Sequence, residues 1–284
     1  MTWALTNFFI DQRKPFREQI SSVVIMISNV MEKALSPAVL KQSLVLFADI
    51  ANDQSIGLRA YDISLIIAGI TQLRSPNLPT ALKQATTKQD ANDIFEGIFK
   101  VLSGILKNRR QQLVQVITPF TAILETLVHC FRSLHPSVAI STRKRKQDNK
   151  KRMLQDQTFS LLTDHAPLNE MCARSYARLL DGLGDQGATN TANTTSGKSH
   201  NLSKAFSKHS PYILAEYLSV QADPISTISL PALKSALRPG LFSLLDICGE
   251  HERDMLMAAI DTSQKMLLKT LYADWAKTHR YTGR

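Results

Sequence analysis

The sequence predicts an all-α protein, built as a helical-repeat array of the HEAT or armadillo kind (an α-solenoid) with a C-terminal helical domain. Apolar residues recur every three to four positions along most of the chain, which is the period of an amphipathic helix. Only 11 glycines and 11 prolines are spread over 284 residues, too few for the many turns of a β-sandwich or barrel. A hydrophobic fraction of 44% suffices for a core.

The first 140 residues are predicted to form the helical array. Three amphipathic helices fit between Phe16 and Leu73, separated by Ser36-Pro37 and by the polar segment 52–57. A proline-containing loop at 75–79 precedes a fourth helix. The apolar stripes of the first, second and fourth helices are expected to be Val23, Ile27 and Val30; Leu40, Leu44 and Phe47; and Ile94, Ile98, Val101, Leu102 and Ile105.

The middle of the chain alternates between helical and non-periodic segments. Residues 111–134 are apolar on much of the helical circumference and predict a central helix bent at Pro119. Helical spacing resumes over 153–183, through Leu161, Met171, Tyr176, Leu179 and Leu180. The predicted organisation is a helical array at 1–140, a basic flexible loop at 141–152, a helical continuation at 153–183, a flexible linker at 184–200 and a C-terminal helical domain at 201–284.

The C-terminal domain carries clear helix signals. Ser210 is predicted as an N-cap with Pro211 at the first helical position. A leucine-rich segment follows, kinked or divided at Pro239-Gly240, and ends at Gly249. The terminal helix is expected to be capped by Asp261, with a buried stripe that packs against Leu241, Leu244 and Leu245. That stripe is predicted to be Leu268, Leu271, Tyr272 and Trp275.

A short basic tract holds most of the net charge of +10. Its seven cations outweigh the single Asp148, so +6 of the +10 lies within residues 141–152. The tract predicts a nuclear or nucleolar import signal, a sequence-independent RNA phosphate contact, or a solvated loop. The candidate import or RNA-contact residues are Arg143, Lys144, Arg145, Lys146, Lys150, Lys151 and Arg152, with Lys204, Lys208 and His209 as a weaker second set.

No motif predicts catalysis, a metal or a cofactor. Cys130, Cys172 and Cys248 stand alone, which favours small core residues in a reducing compartment over disulfides or zinc ligands. His251-Glu252 resembles the start of a zinc-protease helix, but Met255 occupies the position of the second histidine. The polar residues there are predicted to begin a helix instead. Neither a secretory signal nor an apolar run of bilayer length is found.

From Phe95 onward the order of motifs resembles the C-terminal domain of the nucleolar pre-ribosomal-associated protein two family, also called unhealthy ribosome biogenesis protein two. The motifs are KNRR (107–110) with the apolar segment to Leu134, ARLL (177–180), LSKAFSKHSPY (202–212), LRPGL (237–241), EHERD (250–254), LYADW (271–275) and RYTG (280–283).

The resemblance implies a non-catalytic scaffold of the nucleus and nucleolus that acts in early large-subunit (pre-60S) assembly and pre-rRNA processing. It also implies that the partners are the pre-ribosomal particle, a companion helical-repeat protein and a DEAD-box helicase. Proteins of this family are longer than the chain, which would then be a C-terminal fragment or a shortened version of such a protein. A cytosolic helical-repeat adaptor, with the basic tract as a solvated loop, is the alternative.

Overall fold

The computed structural model describes residues 13–73, 78–134, 162, 167–184 and 199–282. The helices there are α1 (Arg13–Glu32), α2 (Pro37–Asn52), α3 (Ala60–Gln72), α4 (Thr80–Ala85), α5 (Lys88–Asn108), α6 (Arg110–Gln115), α7 (Ile117–Leu127), a 3₁₀ turn (Val128–Phe131), α8 (Glu170–Gly184), α9 (Ser199–Ser207), α10 (Ser210–Ala222), α11 (Pro231–Ile247), α12 (Glu250–Ala259) and α13 (Thr262–Thr282). Within these ranges, the strands β1 (Ser133–Leu134) and β2 (Ser226–Thr227) form one antiparallel pair. The all-α prediction is confirmed.

Helices α2, α5 and α13 begin where short polar side chains satisfy amides of the first turn. Ser36 Oγ accepts a hydrogen bond from the Ala38 amide at 3.3 Å, with a proline at the first position of α2. Thr87 and Asp90 form a reciprocal capping box at the start of α5, with N···O distances of 3.1 and 3.0 Å. Asp261 accepts from the amide three residues later at 2.8 Å, which confirms its predicted capping role.

Contacts between helices arrange most of them in two rows. In one row α2 packs on α5, α5 on α8 and α8 on α11. In the other row α1 packs on α3, α3 on α7, α7 on α10 and α10 on α13. The buried apolar residues of both rows belong to one continuous hydrophobic core that runs from Ile20 to Leu268.

Most of the predicted stripe positions line this core, but the prediction was wrong for Val30 of α1 and for Met171 of α8, which is 59% exposed. Leu40, Leu44 and Phe47 of α2 and the whole predicted stripe of α5 are buried. In α1, Val30 is 46% exposed and Val23 is only partly buried. Among residues 19–32, the part of α1 whose side chains are described, the buried ones are Ile20, Val24, Ile27 and Met31.

The predicted central helix is divided. Val116 has φ −124° and ψ 28°, so the chain leaves helical geometry there and α7 begins at Ile117. Pro119 therefore lies in the first turn of a new helix, where its missing N–H costs no hydrogen bond, and does not bend a longer one. The last turn before Arg132 is 3₁₀, not α.

Helices extend into both ends of the predicted linker. Gly184 is the last residue of α8, and Ser199 and His200 belong to α9. Between them residues 185–198 lie outside the described part, as do 141–152, so the flexibility predicted for both segments stays a prediction. The predicted domain boundaries also stay predictions, although buried residues on both sides of them share one core.

The start of α10 differs by one residue from the prediction. His209 is the N-cap, and Ser210 lies inside the helix, where its hydroxyl donates to the Ser207 carbonyl at 2.9 Å. Helix α11 is continuous from Pro231 to Ile247 with Pro239 inside it. Gly240 lies directly against the backbone of Ala177 in α8, which permits the close crossing of these two helices.

The terminal helix packs mainly on α10, and Trp275 is not the fully buried residue that the stripe predicted. Its side chain is partly buried at the edge of the core, and its indole N–H donates to Asp246 of α11 at 2.8 Å. Tyr272 makes an edge contact with the same ring at 5.6 Å between centroids. Arg253 lies over both rings. Leu268 is the fully buried member of the stripe.

Candidate nucleic-acid interface

The seven basic residues of the predicted import or RNA tract, Arg143 to Arg152, lie outside the described residues. The second set is described and comes together on one surface. Lys204 lies in α9, Lys208 follows that helix, and His209 caps α10. Both lysines are exposed and the histidine is partly buried.

These three residues line one side of a groove, called here the basic groove, with a volume of about 570 Å³. The opposite side comes from α6 and the start of α7. The lining residues are Arg110, Gln111, Val114, Ile117, Lys204, Ala205, Lys208 and His209. The groove therefore has an apolar floor and a cationic rim. Its walls come from two parts of the sequence, residues 110–117 and residues 204–209.

Buried apolar residues fix α9 against α6 and α7 beneath the groove. Phe206 makes an edge contact with Phe120 of α7, with 5.9 Å between ring centroids, and both rings are fully buried. Leu202 of α9 and Leu113 of α6 are also buried in the core. The alternation of buried and exposed positions along α9 follows from the helical period, because Lys204 and Lys208 lie four residues apart on the opposite face from Phe206.

The two arginines of the KNRR motif have different environments. Arg109 is 6% exposed and its guanidinium donates to the Asp53 carbonyl, so it joins α5 to the loop after α2. Burial lowers the pKa of Arg109, and the charge of Asp53 partly opposes that shift. Arg110 lies at the groove, so one arginine holds the fold and the next faces the surface cavity.

The charge of the groove is positive on its described lining. Arg110, Lys204 and Lys208 are cationic at neutral pH, and the lining residues include no carboxylate. The pKa of His209 is lowered by burial and, secondarily, by the neighbouring charge of Lys208. His209 is therefore mainly neutral at pH 7 and can donate or accept a hydrogen bond there.

An exposed aromatic side chain adjoins the groove. Tyr212 is 55% exposed, and its ring centroid is 6.2 Å from that of His209 with an interplanar angle of 47°. Sequence reasoning did not identify Tyr212 or Arg110 as site residues. Both residues belong to motifs that the sequence analysis names, Arg110 to KNRR and Tyr212 to LSKAFSKHSPY. Only the tertiary fold brings the two motifs together.

Two other cavities of the described part have different chemistry. The groove between α2 and α5 has mixed charge, since Lys41 bridges Asp90 at 2.9 Å and Asp93 at 3.2 Å. Hydrogen bonds from Thr87 and, secondarily, from Lys41 lower the pKa of Asp90 to about 2. The third cavity, beside α1, is apolar and is lined by exposed Ile25, Met26 and Leu35. The basic groove is thus the most suited of the three to a polyanion.

Residues considered for chemistry have structural roles. All three cysteines are buried, and burial raises the pKa of Cys172 to about 12. His251 lies exposed in the first turn of α12, as the helix-start interpretation predicts. Across the described ranges, no three His, Cys, Asp or Glu residues come close enough to hold a metal ion. The helices described are also all too short or too polar to cross a lipid bilayer.

A comparison with family models assigns most of the chain. The model described as the Urb2/Npa2 family matches residues 41–284, which includes every residue of the basic groove and the whole of α3 to α13. No solved structure matches the chain. Because the match spans far more than half of the sequence, this protein belongs to the Urb2/Npa2 family, a family of nucleolar ribosome-biogenesis factors.

Proposed function

We propose that this chain is a non-catalytic scaffold in early large-subunit assembly and pre-rRNA processing. The observation that carries the proposal is the family match over residues 41–284. Family membership assigns the chain to ribosome biogenesis, and the family is not a known enzyme family. The basic groove supports the finer assignment, because a cationic surface on a helical framework suits contact with a polyanionic particle.

The helix contacts support an α-solenoid arrangement. In such arrays each helix packs on its equivalent in the next repeat, so two parallel layers form. The rows α2–α5–α8–α11 and α1–α3–α7–α10–α13 have this pattern. We propose that the two rows are the two layers of a helical-repeat scaffold with extended surfaces for partners.

The partners proposed for this scaffold are the pre-60S particle, a companion nucleolar helical-repeat protein and a DEAD-box helicase. The basic tract at 141–152 is proposed to serve nuclear import, RNA contact or both. If all seven tract cations pair with single-stranded phosphates, the slope of log affinity against log salt changes by at most about 5 when they are neutralised.

The test is affinity purification of the tagged protein at its natural expression level, followed by identification of the co-purified proteins and RNA. Three forms are compared: the natural chain, a variant with the seven tract cations changed to Gln, and a control with each tract Arg and Lys exchanged. The control retains the charge and changes only the side chains, so it separates electrostatics from specific recognition.

We expect the natural chain to recover large-subunit precursors, pre-rRNA and the two proposed partners, and the Gln variant to recover less of each and to accumulate less in the nucleus. The exchange variant should behave as the natural chain. Recovery of cytosolic proteins without pre-rRNA, with normal distribution of the Gln variant, would favour the cytosolic adaptor and overturn the proposal.

A further inference from the structure

We propose that the basic groove is a binding site for single-stranded RNA, with Tyr212 as a platform on which one base stacks. This inference deepens the proposed function by naming a ligand class and a site within it. Proteins that bind single strands combine a cationic channel for the phosphates with exposed aromatic rings for the bases. The groove and Tyr212 bring both features together.

The cations are placed to follow a nucleic-acid backbone along both sides of the groove. Lys204 and Lys208 lie on the α9 side and are exposed, and Arg110 lies on the α6 side. The floor between them is apolar, with Val114 and Ile117 packed against the core. A backbone seated there would meet positive charge on both walls and no lining carboxylate.

The aromatic ring is oriented by its neighbours and remains accessible. Tyr212 lies in the first turn of α10, next to Pro211, which restricts the backbone there. Its amide donates to the His209 carbonyl at 3.2 Å. The His209 ring adjoins it with 6.2 Å between centroids, and His209 itself lines the groove, so Tyr212 lies next to the lining. With more than half of the Tyr212 surface exposed, a base can stack without displacing core residues.

A single strand fits these observations better than a duplex. Bases within an A-form helix are stacked on one another and do not offer their faces to a side chain. Single-stranded bases are free to stack on tyrosine. An acidic peptide would satisfy the lysines but would make little use of an exposed aromatic ring beside them.

The experiment measures binding of the full chain to a fluorescent single-stranded RNA of about 12 nucleotides of mixed sequence, by anisotropy over a salt series. We compare Tyr212→Ala with Tyr212→Phe and with the control Tyr61→Ala, which removes a tyrosine that is 61% exposed in α3. Tyr212→Ala should weaken binding roughly 5- to 150-fold, while Tyr212→Phe retains the ring and the affinity.

The charge variants are Lys204→Gln with Lys208→Gln, compared with Lys88→Gln with Lys269→Gln, which removes two exposed lysines elsewhere. The groove pair should reduce the salt slope by about 1.4, and the control pair should leave it unchanged. Each measurement is repeated in the variant whose 141–152 tract is neutralised, so that binding by the tract does not mask the groove.

Three results would overturn the site: equal affinity of Tyr212→Ala and the natural chain, equal loss in groove and control lysine pairs, or tighter binding of an RNA duplex or a polyglutamate peptide than of the single strand. Melting temperatures of the tyrosine and lysine variants are measured alongside, and they should match the natural chain because these side chains are exposed. If the protein binds single strands at the groove yet recovers no pre-ribosomal particles, the scaffold proposal fails and the site stands.

Discussion

Replacing Gly240 by alanine should destabilise the protein, although alanine favours helices. The two helices α8 and α11 cross at this glycine. An added Cβ would lie 2.7 Å from both the Cα and the carbonyl oxygen of Ala177, closer than real Cβ atoms approach. Because these obstacles are backbone atoms, no side-chain rotation relieves the overlap, and the helices must separate.

The magnitude follows from two opposing effects. Alanine gains about 1 kcal/mol over glycine in a helix interior. Overpacking typically costs about 1 to 3 kcal/mol, and a backbone obstacle favours the upper end of that range. The expected net loss for Gly240→Ala is therefore about 2 kcal/mol. A loss of that size lowers the melting temperature by about 4 to 8 °C in a chain of 150 residues or more.

Two other glycines provide matched controls for the assay, which is thermal and urea unfolding followed by circular dichroism. At Gly182 in α8 an added Cβ would meet only the Cδ2 end of Leu106, at 2.8 Å, and that side chain can rotate. At Gly57 nothing lies within 4 Å. Both alanine variants should stay within about 1 kcal/mol of the natural chain. A Gly240→Ala protein as stable as these controls would refute the close-crossing argument.

Three further outcomes are expected. Trp275→Ala should cost about 1 to 3 kcal/mol by urea unfolding, less than the 3 to 5 kcal/mol typical of a buried Trp, because the ring is partly exposed; a larger loss would contradict its position at the edge of the core. Cys130, Cys172 and Cys248 should resist a thiol reagent at pH 8 in the native protein and react in denaturant, and native labelling would contradict their burial. The pKa of His209 is lowered in the folded state, so the unfolded chain binds a proton more readily, and the free energy of unfolding falls as pH drops through about 6.5. Urea titrations at pH 7.5 and 5.5 should show a smaller decrease in that free energy for His209→Gln than for the natural chain. An equal decrease in both proteins would refute the role of His209.

Hydrophobic periodicity located the helices because burial on one face imposes a period near 3.6 residues. It succeeded fully in α2, where Leu40, Leu44 and Phe47 are buried and the neighbouring Val39 and Val45, off the predicted stripe, are exposed. It chose the wrong stripe in α1, where apolar residues occur around the whole circumference. There the packing of α3 against α1 decides that Met31 is buried and Val30 is exposed.

Local signals with two structural meanings could not be resolved from the sequence. A proline suits both a kink and a first helical turn. Pro119 takes the second role because the chain breaks at Val116, and Pro239 takes a place inside α11. Either His209 or Ser210 could precede the first turn of α10. The Ser210 hydroxyl donates to the Ser207 carbonyl, and His209 is the N-cap without a side-chain capping bond.

The candidate site could be predicted from the sequence only where its residues are adjacent along the chain. The sequence marks Lys204, Lys208 and His209 as basic and adjacent, so a local surface could be proposed. Arg110 is distant in sequence and belongs to a separate motif, KNRR. Only the packing of α9 on α6 brings it to the opposite wall, and such a contact has no local signature.

The position of the groove links its ligand to the stability of the fold. Its two walls belong to helices that share one core, and α9 is held there by the contact of Phe206 with Phe120. A ligand that bridges the walls binds only the folded chain, so it stabilises that state by about 2.7 kcal/mol at one hundred times its dissociation constant. Core and surface variants therefore have different effects on stability. Gly240→Ala lowers the stability with and without RNA and leaves the RNA-induced increase intact. Tyr212→Ala preserves the stability of the free protein, and at the same RNA concentration its increase falls from about 2.7 to about 0.3 to 1.8 kcal/mol, as the 5- to 150-fold weaker affinity requires.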